Sequence, residues 1–213
     1  MSVMSETAIR DDHRLDPEDE ARANFYALLA RLFAFAPDAE LLDAIAGAPP
    51  LAPVDATEEE GGLATHWDAL RAASAKADAA AVADEFQALF IGVGKSEVSL
   101  YASHYLRPQS GRPLADFRAA LSKMGLARRP GTSEYEDHFS VALETMRMLA
   151  AGNAERAPAT VAEQRAFCET FLLPWAFACC TAISRCAIAN YYVEVAQFSA
   201  SFLALERDSF AIE

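Results

Sequence analysis

Two short segments of the sequence concentrate side chains that could do chemistry. The first, Glu85–Leu106, reads EFQALFIGVGKSEVSLYASHYL and places Tyr101, Ser103 and Tyr105 at alternate positions. The second, Ser133–Phe139, reads SEYEDHF and holds three carboxylates and a histidine. Phenols, hydroxyls, carboxylates and an imidazole suit hydrogen bonding, proton transfer or metal binding. Neither segment follows the layout of a known catalytic site, so the pattern favours binding over catalysis.

The carboxylates of the second segment do not form a recognisable metal site. Di-iron bundle proteins use Glu-x-x-His on two helices, but Tyr135 stands three residues before His138 and the chain contains no Glu-x-x-His. The His-Glu-x-x-His pattern of zinc hydrolases is also absent from the sequence. We therefore predict no metal and no cofactor. Acids in a first helical turn stabilise the helix dipole, which would account for Glu134 and Glu136. The dipole does not account for Asp137 and His138, and two roles stay open for them, support of the local structure and contact with a ligand.

A glycine-containing stretch, Gly92–Ser96, is similar to the end of a phosphate-binding P-loop. The full motif needs a further glycine where this chain has Leu89, and it needs a preceding strand where the pattern predicts a helix. Serine, histidine and aspartate are present, but the sequence has no GxSxG elbow. The protein is predicted not to be an enzyme. A nucleotide (GTP) binding or hydrolysing protein that uses Gly92–Ser96 is kept as the alternative.

The loop tyrosines allow two interpretations. In an extended backbone Tyr101, Ser103 and Tyr105 would share one face, with Leu100 and Ala102 on the other. Two phenols and a hydroxyl on one side would then offer apolar area and hydrogen bonds to a peptide. The structural alternative is that the tyrosines pin the loop to the helices.

Composition narrows the class of protein. The chain has 213 residues, 53% hydrophobic and 23% charged, which suits one globular domain. Its net charge of −13 argues against nucleic acid as a partner, because phosphate binding needs a basic surface. The charge is compatible with a basic partner such as an arginine-bearing peptide, and it equally serves solubility.

Several features indicate a cytoplasmic protein without stable membrane insertion. The N-terminal stretch lacks the apolar centre of a secretory signal. The longest apolar tract, Phe171–Cys180, has ten residues and contains a proline, whereas a membrane span needs about 20. No CxxC pair occurs, so the cysteines are predicted to be buried thiols. They are Cys168, Cys179, Cys180 and Cys186.

Helical periodicity dominates the chain. The first helix is predicted to begin after Asp16, because a capping aspartate is followed by Pro17 and then by acidic residues. Apolar residues at helical spacing follow as one stripe, namely Phe25, Leu28, Leu29, Leu32 and Phe33. Similar stripes recur, and the alternation typical of strands is nearly absent. The sequence therefore predicts an all-α fold, a compact single-domain bundle of many helices.

Local signals also predict how the two segments are held. Gly92–Gly111 has no helical stripe and reads as a long ordered loop. A helix is expected to open at Ser133, with a capping box formed with Glu136. Pro174 is expected to kink a later helix.

The predicted domain organisation is simple. Residues 1–15 form a flexible tail, residues 16–213 form the helical domain, and residues 48–62 are a mobile linker because they combine prolines with a run of acids. Such a linker would permit domain swapping, which leaves a homodimer open.

These segments and their order resemble the TorD/DmsD-type family of redox-enzyme maturation chaperones, which is related to NarJ. EFQALFIG at Glu85–Gly92, YASHYL at Tyr101–Leu106 and EYEDH at Glu134–His138 are similar to the family's motifs. A downstream pattern fits as well, formed by Phe171, Leu172, Trp175, Tyr191 and Tyr192. The resemblance covers about Asn24–Leu205. Two departures are Tyr135, which replaces the family's usual proline, and the lack of a proline before Tyr101.

The resemblance implies an all-helical cytoplasmic chaperone. Its partner would be the twin-arginine signal peptide, the apo form, or both, of a molybdenum-cofactor oxidoreductase held back from export until its cofactor is inserted. A permanent assembly subunit is the remaining alternative. Charge-assisted hydrogen bonds and burial in a groove would suit such a peptide. The residues expected to contact it are Tyr101, Ser103, Tyr105, Glu134, Asp137, His138 and Trp175, the last more a core residue than a contact.

Overall fold

The computed structural model describes residues 15–52, 62–92, 96–106, 112–126, 135–153 and 156–212. Helices account for the regular structure of these ranges, so the all-α prediction is confirmed. They are α1 (Pro17–Ala34), α2 (Ala39–Gly47), α3 (Leu63–Ser74), α4 (Ala79–Phe86), α5 (Ala102–Tyr105), α6 (Pro113–Lys123), α7 (Phe139–Ala151), α8 (Val161–Phe167), α9 (Leu173–Ser184) and α10 (Tyr191–Ile212).

Capping residues set several helix starts. Asp16 accepts the N–H of Glu18 at 3.0 Å, and Pro17 opens α1 as predicted. Asp38 and Asp78 accept amides at the starts of α2 and α4 in the same way. Each cap satisfies one of the amides that a helix start leaves unpaired.

Two helices run on through a π-helical turn. Gln87–Ile91 extends α4 and ends at Gly92, whose φ of 59° is a left-handed conformation that favours glycine. The turn Cys168–Leu172 joins α8 to α9, directly before Pro174. Proline has no N–H to donate to the preceding turn. The wider turn lies directly before Pro174, and the kink expected at this proline stays a prediction.

The core lies where α1 packs on α7 and where α10 packs on α3 and α9. Aromatic rings fill these contacts. Phe33 on α1 and Phe139 on α7 have ring centroids 4.6 Å apart, and Trp67 on α3 lies 5.1 Å from Phe198 on α10. The apolar stripe predicted for α1 supplies Leu29, Leu32 and Phe33 to this buried core.

The helical run Val161–Ser184 has 24 residues and is apolar enough, by length and composition, to cross a membrane. Core helices of globular proteins share these properties. Because Trp175, Cys179 and Ile183 of this run are buried against the rest of the bundle, we interpret it as a core helix.

Two predicted elements are wrong. The helix expected to open at Ser133 begins at Phe139, and residues 135–138 before it form a turn. The backbone expected to be extended from Tyr101 to Tyr105 is one helical turn, α5. Ser133 itself lies outside the described residues, as do residues 1–14 and 53–61 of the predicted tail and linker, so those boundaries stay predictions.

Candidate functional site

The two segments singled out in the sequence meet in the structure. Tyr101 and His138 pair as an isolated antiparallel bridge. The amide of Phe139 donates to the carbonyl of Leu100 at 2.8 Å, and the amide of Ala102 donates to the carbonyl of Asp137 at 2.9 Å. The loop before α5 is thereby fixed against the start of α7.

The side chain of Asp137 completes this attachment. Its Oδ2 accepts the amide of Ser103 at 3.1 Å, and the residue is only 1% exposed. Ser103 is the second residue of α5, and the residue at its N-cap, Tyr101, makes no side-chain cap bond. Asp137 thus acts as an N-cap acceptor supplied by a distant segment. Asp137 therefore has a structural role in this corner. Its predicted contact with a peptide stays a prediction.

His138 is the N-cap of α7. Its Nδ1 accepts the amide of Ser140 at 3.2 Å and lies 2.8 Å from the Ser140 hydroxyl. A nitrogen that accepts an N–H carries no proton of its own, so this pattern assigns the ring proton to Nε2. The ring packs edge-on against Tyr101, with centroids 4.9 Å apart. The imidazole ring therefore packs against Tyr101, while its Nδ1 caps the start of α7.

Tyr135 extends this aromatic surface outwards. It is 52% exposed, and its ring centroid lies 6.3 Å from that of half-buried Tyr101. Beside it, Glu136 forms a 3.0 Å ion pair with Arg118 on α6. Tyr135 was not among the residues predicted to contact a peptide. An aromatic residue among acids, in a turn, was the signal that it could reach the surface.

Tyr105 and Trp175 point the other way, into the protein. The Tyr105 hydroxyl donates to the carbonyl of Ser99 at 2.7 Å, and its ring stacks on Trp175 with centroids 6.0 Å apart. Burial raises the pKa of Tyr105 well above its ordinary value. Trp175 is 1% exposed and donates its indole N–H to the carbonyl of Phe171. For Tyr105 the structure thus favours the pinning alternative, and Trp175 lies in the core as its type indicated.

The remaining predicted residues fall into two groups. Ser103 is exposed, but only its backbone is tied to the site. Glu134 and Lys95 lie outside the described residues. Gly92 follows a helical turn, whereas a P-loop requires a strand at that place.

The described ranges contain no group of three His, Cys, Asp or Glu residues able to hold a metal ion. Cys168, Cys179 and Cys180 are buried thiols, as predicted, while Cys186 is half-buried. Burial raises the pKa of Cys168 and of Cys179 to about 12, which keeps both thiols protonated at neutral pH.

Residues 57–181, more than half of the chain, match the family model described as nitrate reductase delta subunit. None of the curated proteins compared with the chain matches it. The matched range contains the whole corner formed by Tyr101, Tyr135, Asp137 and His138. The matched family is the TorD-like family of redox-enzyme maturation chaperones. Its members are soluble cytoplasmic proteins without catalytic activity that act on molybdoenzymes. The chain belongs to the nitrate reductase delta subunit family, and its general role is that of a molybdoenzyme maturation chaperone.

Proposed function

We propose that this protein acts in the cytoplasm and binds the twin-arginine signal peptide, the apo form, or both, of a molybdenum-cofactor oxidoreductase. It holds this client for cofactor insertion before export. The observation that carries the proposal is the surface formed by Tyr135 and Tyr101 against His138. This surface lies within the matched family range. It presents the exposed ring of Tyr135, and hydrogen bonds fix the backbone on which Tyr101 and His138 lie.

Tyrosine faces suit an arginine-bearing peptide. A guanidinium stacks on an aromatic ring and gains roughly 0.5–2 kcal/mol, depending on how far the pair is shielded from water. The protein's net charge of −13 adds a long-range attraction for a cationic peptide. The nearby carboxylate of Glu136 is already paired with Arg118. We therefore assign the specific contact to the rings, and a general electrostatic role to the acids.

The residues of the site divide by role. Tyr135 and Tyr101 are the proposed contacts, together with Ser103 at the exposed edge of α5. Asp137 and His138 position them by holding α5 and the start of α7 together.

Isothermal titration with a peptide containing two consecutive arginines tests the proposal. Tyr135→Ala is expected to weaken binding about 5- to 10-fold, which corresponds to the loss of one cation–π contact. Tyr135→Phe keeps the ring and should bind within about twofold of the unaltered protein. A peptide with two lysines in place of the arginines should bind more weakly, because an ammonium does not stack on a ring as a guanidinium does.

Phe35→Ala is the matched control. Phe35 is another exposed aromatic, 60% accessible, at the end of α1. Its removal should leave the affinity unchanged. Equal affinities for Tyr135→Ala and Phe35→Ala would refute the role of the tyrosine surface. Absence of binding to the signal peptides of all molybdoenzymes encoded nearby would refute the proposed function itself.

A permanent assembly subunit is the second candidate, because the description of the matched family names a subunit. The two roles differ in what happens after maturation. A chaperone should co-elute with the apo form of its client in size-exclusion chromatography and be absent from the cofactor-loaded enzyme, whereas a permanent subunit would remain with both.

A further inference from the structure

A groove with a volume of about 710 Å³ lies between α6 and the run that begins with α8. On α6 and its C-cap it is lined by Asp116, Ala119, Ala120, Lys123 and Met124. On the facing run it is lined by Glu163, Ala166, Phe167, Thr170 and Phe171. The first set follows the spacing i, i+3, i+4, i+7, i+8, which is one face of an α-helix over two turns. The second set begins on α8 and continues into the π-helical turn Cys168–Leu172. The groove is therefore elongated and runs along both helices.

The two walls are antiparallel. Phe117, near the start of α6, packs on Phe171 with ring centroids 5.0 Å apart. At the other end of α6, a Cβ on Gly125 would lie 3.9 Å from the guanidinium of Arg156, which precedes α8. Alanines line the sides and leave room for a helix backbone to approach closely, and buried Leu149 and Phe167 contribute an apolar floor. This is the shape into which a third helix packs.

The ends of the groove differ in charge. Lys123 and Arg156 lie at one end together with Glu163, and Asp116 lies at the other. Glu163 already accepts the amide and hydroxyl of Thr160, at 2.9 Å and 2.8 Å. The backbone of Arg156 pairs with that of Asn153, and its guanidinium charge also contributes to lowering the pKa of Glu163. The first end thus has two cations against one carboxylate, a net positive charge that suits an incoming carboxylate, and the second end is negative.

We propose that this groove docks an amphipathic helix of a partner protein. The helix carries a carboxylate that meets Lys123 and Arg156, and a cation opposite Asp116. Asp116 and Lys123 are seven residues apart on α6, or about 10 Å at 1.5 Å per residue. The docking helix therefore needs an acidic and a basic residue with the same spacing, and apolar side chains between them.

This surface is separate from the tyrosine corner. Arg118, which pairs with Glu136 there, lies on the opposite face of α6 from Ala120. The groove also prefers a different ligand, since it requires a carboxylate rather than an arginine pair. A partner could consequently occupy both surfaces with two different segments.

A labelled, alanine-rich helical peptide of about 18 residues is the probe. It carries glutamate and lysine seven residues apart with two leucines between them, and a second version has lysine in place of the glutamate. Fluorescence anisotropy should show tighter binding of the first version. Lys123→Glu should weaken that binding at least about fivefold and favour the second version. Lys76→Glu makes the same charge change at an exposed turn after α3 and should have no effect.

A steric variant tests the groove independently of charge. Ala120→Trp fills it and should abolish binding of both peptides, while Ala115→Trp, on an exposed position of α6 outside the lining, should not. Circular dichroism melts confirm that each variant is folded, and twin-arginine peptide binding should be unchanged in all of them. The inference is overturned if the unaltered protein shows no saturable binding up to roughly 1 mM probe. Equal affinity for both peptides, or unchanged binding by Lys123→Glu or Ala120→Trp, would also overturn it.

Discussion

Glu85, on α4, shows how a single side chain of the first segment fixes a distant element. Its Oε1 accepts the amides of Asn190 and Tyr192 at 2.8 Å and 2.9 Å, and its Oε2 accepts the amide of Tyr191 at 3.0 Å. These amides begin α10, where a helix leaves its N–H groups unpaired and where its dipole favours negative charge. One carboxylate thus caps the final helix from outside.

Glu85→Ala is expected to lower the free energy of unfolding by about 1–3 kcal/mol, because three charge-assisted bonds at a helix start are lost together. Urea unfolding followed by circular dichroism measures the loss. Asp84→Ala removes the same charge from the neighbouring exposed position and should change stability by no more than about 0.5 kcal/mol. Equal losses for the two variants would mean that the Glu85 bonds contribute nothing specific.

Caps of this kind mark a limit of sequence-based prediction. Asp16 was identified because the amide that it accepts lies two residues away, at Glu18. Glu85 lies 105 residues before Asn190, so no local pattern connects them. The same holds for Asp137, whose pairing with Ser103 depends on how the segments meet in space.

Among the elements, α5 has the least intrinsic stability. It is a single turn, Ala102–Tyr105, and an isolated turn of helix is unfavourable on its own. Its contacts compensate for this. Asp137 holds its start, Ala102 is fully buried, and Tyr105 stacks on Trp175. The conformation of the loop is therefore imposed by α7 and α9.

Asp137→Ala should loosen α5 while leaving the bundle folded. Hydrogen exchange of the amides in residues 101–106 is expected to rise at least about tenfold, which corresponds to the loss of one charge-assisted bond. The amides of α10 should be unaffected. Ser103→Ala is the control, since α5 uses the amide of Ser103, and its exchange should stay unchanged. If Asp137→Ala left exchange in residues 101–106 unaltered, the carboxylate would not be what holds the turn.

The two errors at the element scale have the same origin. Alternating residues from Tyr101 to Tyr105 are typical of an extended strand, and Ser133 with Glu136 is typical of a capping box. In the folded chain the pairing of Tyr101 with His138 takes the backbone of residues 135–138 out of any helix. The longer helix α1 begins where the sequence predicts, because its cap is local and its apolar stripe extends over several turns.

At the scale of the whole molecule, a buried polar network joins the two ends of the chain. Arg22 on α1 binds Glu206 on α10 through two hydrogen bonds, at 2.8 Å and 2.9 Å, and also contacts Gln164 on α8. Tyr26 donates to the same carboxylate at 2.8 Å. Glu206 is 2% exposed, and its hydrogen bond raises the pKa of Arg22 while burial raises that of Tyr26. The network thus links α1 to α8 and α10.

Because the network is buried, its parts should be strongly non-additive. Glu206→Leu leaves the Tyr26 hydroxyl without its acceptor and leaves the partly buried Arg22 guanidinium with only Asp19 and Gln164 as partners. A loss of about 2–3 kcal/mol is therefore expected. The triple variant Arg22→Met, Tyr26→Phe, Glu206→Leu removes all three polar groups together. It should be more stable than Glu206→Leu alone, since no buried charge remains unpaired.

Urea unfolding of the single and triple variants measures this difference. Arg207 and Asp208 form an exposed ion pair on the same helix, so Asp208→Ala should change stability by less than about 1 kcal/mol. A triple variant less stable than Glu206→Leu would contradict this expectation, and a triple variant less stable than the unaltered protein would show that the ion pair itself stabilises the fold. In that case the attraction of Arg22 for Glu206 would exceed the free energy needed to remove both groups from water. A triple variant as stable as the unaltered protein, or more stable, would mean that the network contributes no net stability. Its role would then be to hold α1, α8 and α10 in one arrangement around the core.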